Sequence, residues 1–169
     1  MKIFIITLAL VALAGCSYIR PSTPETNRPT NVNNQPIPEK PVASSGTSLN
    51  LSNKGLTSLP QDVLKQTNLT ELDISNNAIG GALPAEIRFL SKLKVLKAND
   101  NRMTGVPAEV GQLSQLEVLN LANNQLTGLP NEIANLSGLK TLDLRGNNPS
   151  TQDLDYIRQR LPNTNILVD

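Results

Sequence analysis

Histidine and tryptophan are absent from the 169 residues, cysteine occurs once, and there are only two phenylalanines and two tyrosines. With no histidine and a single thiol, neither a Cys-His nor a Ser-His-Asp apparatus can be assembled, and no His/Cys metal site can form. Carboxylates remain: Glu71, Asp73 and Asp143 could share one face, yet nothing gives them a pocket or an electrophilic partner. No stretch makes a phosphate-binding loop. The chain is therefore expected to be no enzyme and to carry no cofactor or metal. Charge is also unremarkable in sign, with 15 basic against 14 acidic residues and no concentrated basic stretch, which argues against a nucleic-acid partner. The longest apolar run, Ile3 to Ala14, is too short for a membrane-spanning helix.

What the chain does have is leucine at a fixed period. "LEVLNLANNQLTGLP" from Leu116 recurs as "LNLSNKGLTSLP" from Leu49, "LTELDISNNAIGGALP" from Leu69, "LKVLKANDNRMTGVP" from Leu93 and "LKTLDLRGNNPS" from Leu139. Leu49, Leu72, Leu96, Leu119 and Leu142 are spaced by 23, 24, 23 and 23 residues, and the longer step coincides with the extra glycine of "IGGALP". Self-similarity of this kind means a solenoid, one coil per unit. After each Leu-Pro or Val-Pro, apolar residues follow three, six and nine positions on, as with Ile87, Leu90 and Leu93 after Pro84. That period suits a short helix or 3₁₀ turn. In the first coil the middle of these positions is Gln66.

The pattern resembles the leucine-rich repeat, LxxLxLxxNxLxxLP, over residues 49 to 149. The resemblance implies an α/β solenoid: a horseshoe of about five coils, with a short parallel sheet on the concave face and helix or 3₁₀ turns on the convex face. Each coil turns sharply after its strand and strands backbone groups that need partners. Asn77, Asn101, Asn124 and Asn147, five residues after each anchor leucine, are expected to satisfy them as a ladder between coils, since an amide both donates and accepts. Lys54 takes that place in the first coil, which suggests an irregular, solvent-facing end. After Asn147 the register stops. Ser150 and Asp153 are placed as a variant capping box, Leu154, Ile157 and Leu161 share one helical face, and Ile166 and Val168 alternate as a short last strand. Residues 150–169 read as a helix-strand cap.

The other signal is N-terminal. Lys2, the apolar run and Leu13-Ala14-Gly15-Cys16 resemble the bacterial lipobox, in which the cysteine is acylated and becomes the first mature residue. The resemblance implies a signal peptide over 1–15, a lipid anchor on Cys16, and palmitate-type chains that hold the protein to the bilayer at about 0.8 kcal/mol per buried methylene. Ser17 follows the pattern for outer-membrane sorting in a diderm cell; otherwise the protein faces outward from the cytoplasmic membrane. Between the anchor and Ser48, residues 16–47 hold six prolines and no leucine, a tether of up to about 95 Å if fully extended. The repeat domain, 48–169, includes the cap.

The repeat frame identifies the outward positions of the concave face. They run Ser48, Glu71, Val95, Val118, Thr141; then Asn50, Asp73, Lys97, Asn120, Asp143; then Ser52, Ser75, Asn99, Ala122, Arg145. Glu71, Asp73, Val95, Lys97, Asn99, Val118, Asn120, Asp143 and Arg145 are the candidate binding residues, and Lys97 is expected to be neutralised by acids in its own column. Five strands offer about 240 Å² in projection, so a partner must also reach the rim, where Asn53, Asn76, Asp100 and Asn123 align. The expected function is a non-catalytic module that binds another protein at the cell envelope. A structural or cell-wall carbohydrate-contacting module without a dedicated protein partner remains the alternative.

Overall fold

The computed structural model describes residues 46–169. The expected signal peptide, Cys16 and nearly all of the tether lie outside them. Five strands come from the repeats: β1 (Thr47–Asn50), β2 (Leu69–Asp73), β4 (Val95–Lys97), β6 (Val118–Asn120) and β7 (Thr141–Asp143). They pair in parallel in the order β1-β2-β4-β6-β7, and β8 (Asn165–Leu167) adds a sixth strand at the far edge. The C-terminal strand thus extends the sheet, with Ile166 opposite Leu142 in the anchor register. Leu72, Leu96, Leu119 and Leu142 are fully buried. Burial of one such side chain stabilises by about 1.5–3 kcal/mol, and neighbouring coils supply most of what covers it. At the first coil Leu49 and Leu56 are only partly buried against the core; among the described residues this coil has a neighbouring coil on one side alone.

The convex side is built from short helical turns. Ala85–Phe89, Ala108–Gln112 and Asn131–Asn135 are 3₁₀ helices. Each follows a proline in extended conformation, whose carbonyl accepts the N–H of the third helical residue, Ile87, Val110 or Ile133, at 3.0–3.1 Å. Proline fits because it has no N–H to lose at that point. In the first coil the turn is instead a four-residue α-helix, α1 (Gln61–Leu64). With the wider α turn in place of the tighter 3₁₀ turn, Leu64 lies in the core, 4% exposed, and Gln66 stands in solvent. The extra glycine of the second coil forms β3 (Gly80–Gly81), which pairs with β5 (Arg102–Met103) in a second, two-stranded sheet. Gly81 has φ +69°, a conformation for which glycine carries no Cβ penalty.

The cap helix α2 (Thr151–Arg160) buries Leu154 and Ile157, and Leu161 follows at 5% exposure. Ser150 caps it by accepting the Asp153 N–H at 3.1 Å. Asp153 does not return the bond, as a capping box would require. Its carboxylate accepts the Leu129 N–H at 2.9 Å and ties the helix to the fourth coil. Among the described residues no helix is long and apolar enough to cross a membrane.

Candidate functional site

The register of the sheet aligns the outward residues in columns. Glu71 stands opposite Val95, Val95 opposite Val118 and Val118 opposite Thr141, while Asp73, Lys97, Asn120 and Asp143 form the adjacent row. Leu167 of β8 completes that row beside Asp143. Glu71, Val95, Lys97, Asn99, Val118 and Asn120 are half-buried, as side chains standing on a sheet are, and Arg145 is exposed.

Asp143 departs from the expected exposed position: it is 5% exposed. The reason is local. The Arg145 guanidinium folds over it with two bonds, Nε to Oδ1 at 2.9 Å and Nη2 to Oδ2 at 2.6 Å, and β8 flanks it on the other side. The Arg145 hydrogen bond holds the Asp143 carboxyl below the ordinary carboxylate value, helped by the Arg145 backbone N–H and charge and opposed by burial. The Lys97 reading also changes in detail. Its Nζ pairs with Glu71 Oε1 in the neighbouring column, 2.8 Å away, and that hydrogen bond, opposed by partial desolvation and helped by the charges of Glu71 and Asp73, raises the lysine.

The middle column carries a second role that the repeat pattern did not disclose. Oδ1 of Asn50, Asp73, Asn120 and Asp143 accepts the main-chain N–H two residues on, at Ser52 (2.9 Å), Ser75 (3.0 Å), Ala122 (3.1 Å) and Arg145 (3.2 Å). These are Asx turns that finish each strand. Much of the polar character of this column is thereby engaged within the chain. A signal was available in the sequence: four of five coils place Asn or Asp there, the two residues that make this turn.

The rim column has an equally structural cause. Asn53, Asn76, Asp100 and Asn123 have φ between 54° and 57°, and the fifth coil has Gly146 there at φ 69°. The turn after each strand demands a left-handed residue, for which Asn, Asp and Gly carry the least strain. A glycine in register with three asparagines and an aspartate was the legible sign. The rim also has its own bonds: Asp100 accepts from Asn123 Nδ2 at 2.8 Å and from Asn99 Nδ2 at 2.6 Å.

One residue further along, the amides of the ladder point inward and backward. Asn124 Oδ1 accepts the Met103 N–H of the preceding coil at 2.9 Å, and its Nδ2 donates to Ala98, Leu121 and Ala122 carbonyls. Asn101 makes the same set to Ile79, Ile74, Ala98 and Asn99, and Asn147 to Leu126, Leu121, Leu144 and Arg145. Asn77 reaches back to the first coil, accepting from Lys54 and Leu56 N–H at 3.0 Å each. This direction explains Lys54: each amide serves the coil before it, and the first coil has no repeat before it to serve.

A shallow depression of about 340 Å³ opens between the first two coils, bounded by Leu59, Pro60, Ile79, Gly80 and Leu83, and its lining contains no titratable group. Among the described residues no three His, Cys, Asp or Glu side chains are grouped to hold a metal ion. What the geometry defines is a repeat scaffold with a display surface.

The leucine-rich repeat model matches residues 47–103 and 91–148, together more than half of the chain. The chain belongs to the leucine-rich repeat family. No match is found among functionally curated proteins. Among solved structures, a leucine-rich repeat protein of Leptospira interrogans is 41% identical, with a TM-score of 0.62 over 66% of this chain and 28% of that one. The ectodomain of the Arabidopsis thaliana receptor kinase SOBIR1 is 28% identical, TM-score 0.58, over 71% and 67% of the two chains. The plant peptide hormone receptor RGFR1, in complex with RGF2, is 34% identical, TM-score 0.59, over 72% and 20%. The chain thus spans well under two thirds of the Leptospira protein and of RGFR1.

Proposed function

We propose that the chain is a lipid-anchored protein of the bacterial cell envelope whose concave sheet binds another protein without catalysis. The observation that carries this reading is the patch at the sheet's centre: the Val95–Val118 pair beside the Glu71–Lys97 ion pair. These side chains are the ones that the Asx turns and the ladder leave unused. Six strands about 4.8 Å apart make a base roughly 29 Å long, and the exposed rim extends it. The leader, Cys16 and the proline-rich tether supply the anchoring half of the proposal, which rests on the lipobox resemblance. The mixed apolar and charged patch favours a protein over a glycan. Phe89 and Tyr156, the aromatic residues of the described chain, stand off the sheet in a convex turn and in α2, where they offer no stacking platform to a sugar bound there.

The test uses the full chain as bait against envelope proteins, in parent form and as Val118→Glu on the sheet or Gln112→Glu on the convex side. Capture that is lost with the first variant and kept with the second supports the reading. Capture abolished by excess cell-wall glycan moves the assignment to the carbohydrate-contacting alternative. In the same cells Cys16→Ser should shift the protein from the membrane to the soluble fraction; wild-type partitioning of that variant would remove the anchor from the proposal.

A further inference from the structure

Four coils share a device that the third lacks. Asn50, Asp73, Asn120 and Asp143 each cover the outward N–H two residues on. The third coil has Lys97 in that column. An ammonium has donors and no acceptor, and the Asn99 N–H accordingly has no hydrogen-bond partner among the described residues. The Asn99 side chain does not substitute: its Oδ1, the only acceptor it has, makes no bond to this N–H, and its Nδ2 donates to Asp100 Oδ2 at 2.6 Å. Near the centre of the sheet, therefore, one main-chain donor is left open where its neighbours are closed, and the residue responsible is itself a cation. The Lys97 side chain is 41% exposed.

We infer that the Asn99 N–H and the Lys97 ammonium form a carboxylate-binding position for an aspartate, glutamate or C-terminal carboxyl group of a bound protein. This deepens, and rests on, the reading of the concave sheet as the binding face. One carboxylate oxygen takes the Asn99 N–H, as Asp73 Oδ1 takes the Ser75 N–H at 3.0 Å in the coil before; the other meets Lys97 Nζ. In the free chain Glu71 holds that ammonium at 2.8 Å. The pair is open to solvent on both sides, 41% and 35%, and such pairs are weak enough to exchange. Three ammonium donors also allow Glu71 to stay while a second carboxylate binds. Charge-assisted bonds to a main-chain N–H are directional, so the position selects geometry as well as sign.

The experiment is amide NMR of the full chain titrated with sodium acetate, with sodium chloride at equal ionic strength as control. Acetate should move the Asn99 amide proton downfield saturably and leave those of Ser75 and Ala122 in place. Lys97→Asn restores the missing acceptor; it should abolish the acetate response and slow Asn99 hydrogen exchange about fivefold, the factor corresponding to about 1 kcal/mol. Lys97→Met, which leaves the N–H open and removes the charge, should keep a weakened response at Asn99. Silence of the Asn99 amide in the parent, an equal shift with chloride, or an undiminished response in Lys97→Asn each overturns the position. A protein captured equally by parent and Lys97→Asn overturns it too while leaving the binding face intact. An acetate response with no captured protein does the reverse.

Discussion

Asn124→Ala removes one amide and reveals how much of the solenoid hangs on the ladder. Asn124 is 8% exposed and Met103, whose N–H it accepts, is fully buried. That N–H has no second partner among the described residues, and a buried orphan donor costs about 1–3 kcal/mol. The three carbonyls that lose Nδ2 fare better. Ala98 O keeps Asn101 Nδ2 at 3.2 Å, Leu121 O keeps Asn147 Nδ2 at 2.9 Å, and Ala122 O keeps the Asp100 N–H at 2.9 Å. Their combined loss adds about 1 kcal/mol, so the variant should lose about 3 kcal/mol, or roughly 10 °C in Tm for a domain of this size. Asn77→Ala, which frees the Leu51, Ile74 and Ser75 carbonyls in the same way, should lose less, about 1–2 kcal/mol. Its acceptor serves Lys54, which is exposed, and Leu56, which is half-buried, and water can replace it at the exposed end. Asn124→Asp keeps the acceptor but turns a carboxylate on three carbonyl oxygens, and should be no better than alanine. Urea unfolding of the full chain followed by far-ultraviolet circular dichroism reads all three, provided the slope with urea is unchanged. Equal losses for Asn124→Ala and Asn77→Ala, or an Asn124→Asp as stable as the parent, would refute the ladder accounting.

Gly111→Ala should destabilise by about 1–3 kcal/mol, because the added Cβ would overlap the Glu132 backbone in the next convex turn; Gly105→Ala, whose Cβ would meet nothing nearer than 3.9 Å, should leave the urea midpoint unchanged or raise it. The lowered Asp143 carboxyl predicts an acid limb of stability. The unfolded chain binds this proton more readily than the folded one, so the contribution is fully present above the ordinary value of 3.8 and is lost as pH falls through the lower folded value. Urea midpoints measured from pH 6 to about pH 2 should fall less steeply below pH 4 in Asp143→Asn than in the parent, and parallel curves would show that the Arg145 bond does not couple to folding.

The spacing of Leu72, Leu96, Leu119 and Leu142 was enough to determine the solenoid, the strand positions and the inward faces, because a periodic core leaves one register in which every apolar residue is covered. The proline-led turns were equally legible, since a period of three and a residue without an N–H are local properties. Which outward residues are free to bind was another matter. Asp143 reads from its column as exposed and is buried, because β8, folded back from 22 residues further along the chain, pairs beside it. Lys97 reads as sharing its own column's acids and pairs across columns with Glu71, because long side chains choose partners by reach as well as by register. Asn53, Asn76, Asp100 and Asn123 look like a recognition rim and are demanded by positive φ; the backbone conformation that requires them exists only once each strand has been forced to turn onto the convex side. Local pattern determined the scaffold, and the stacking of coils decided which of its polar groups were already spent.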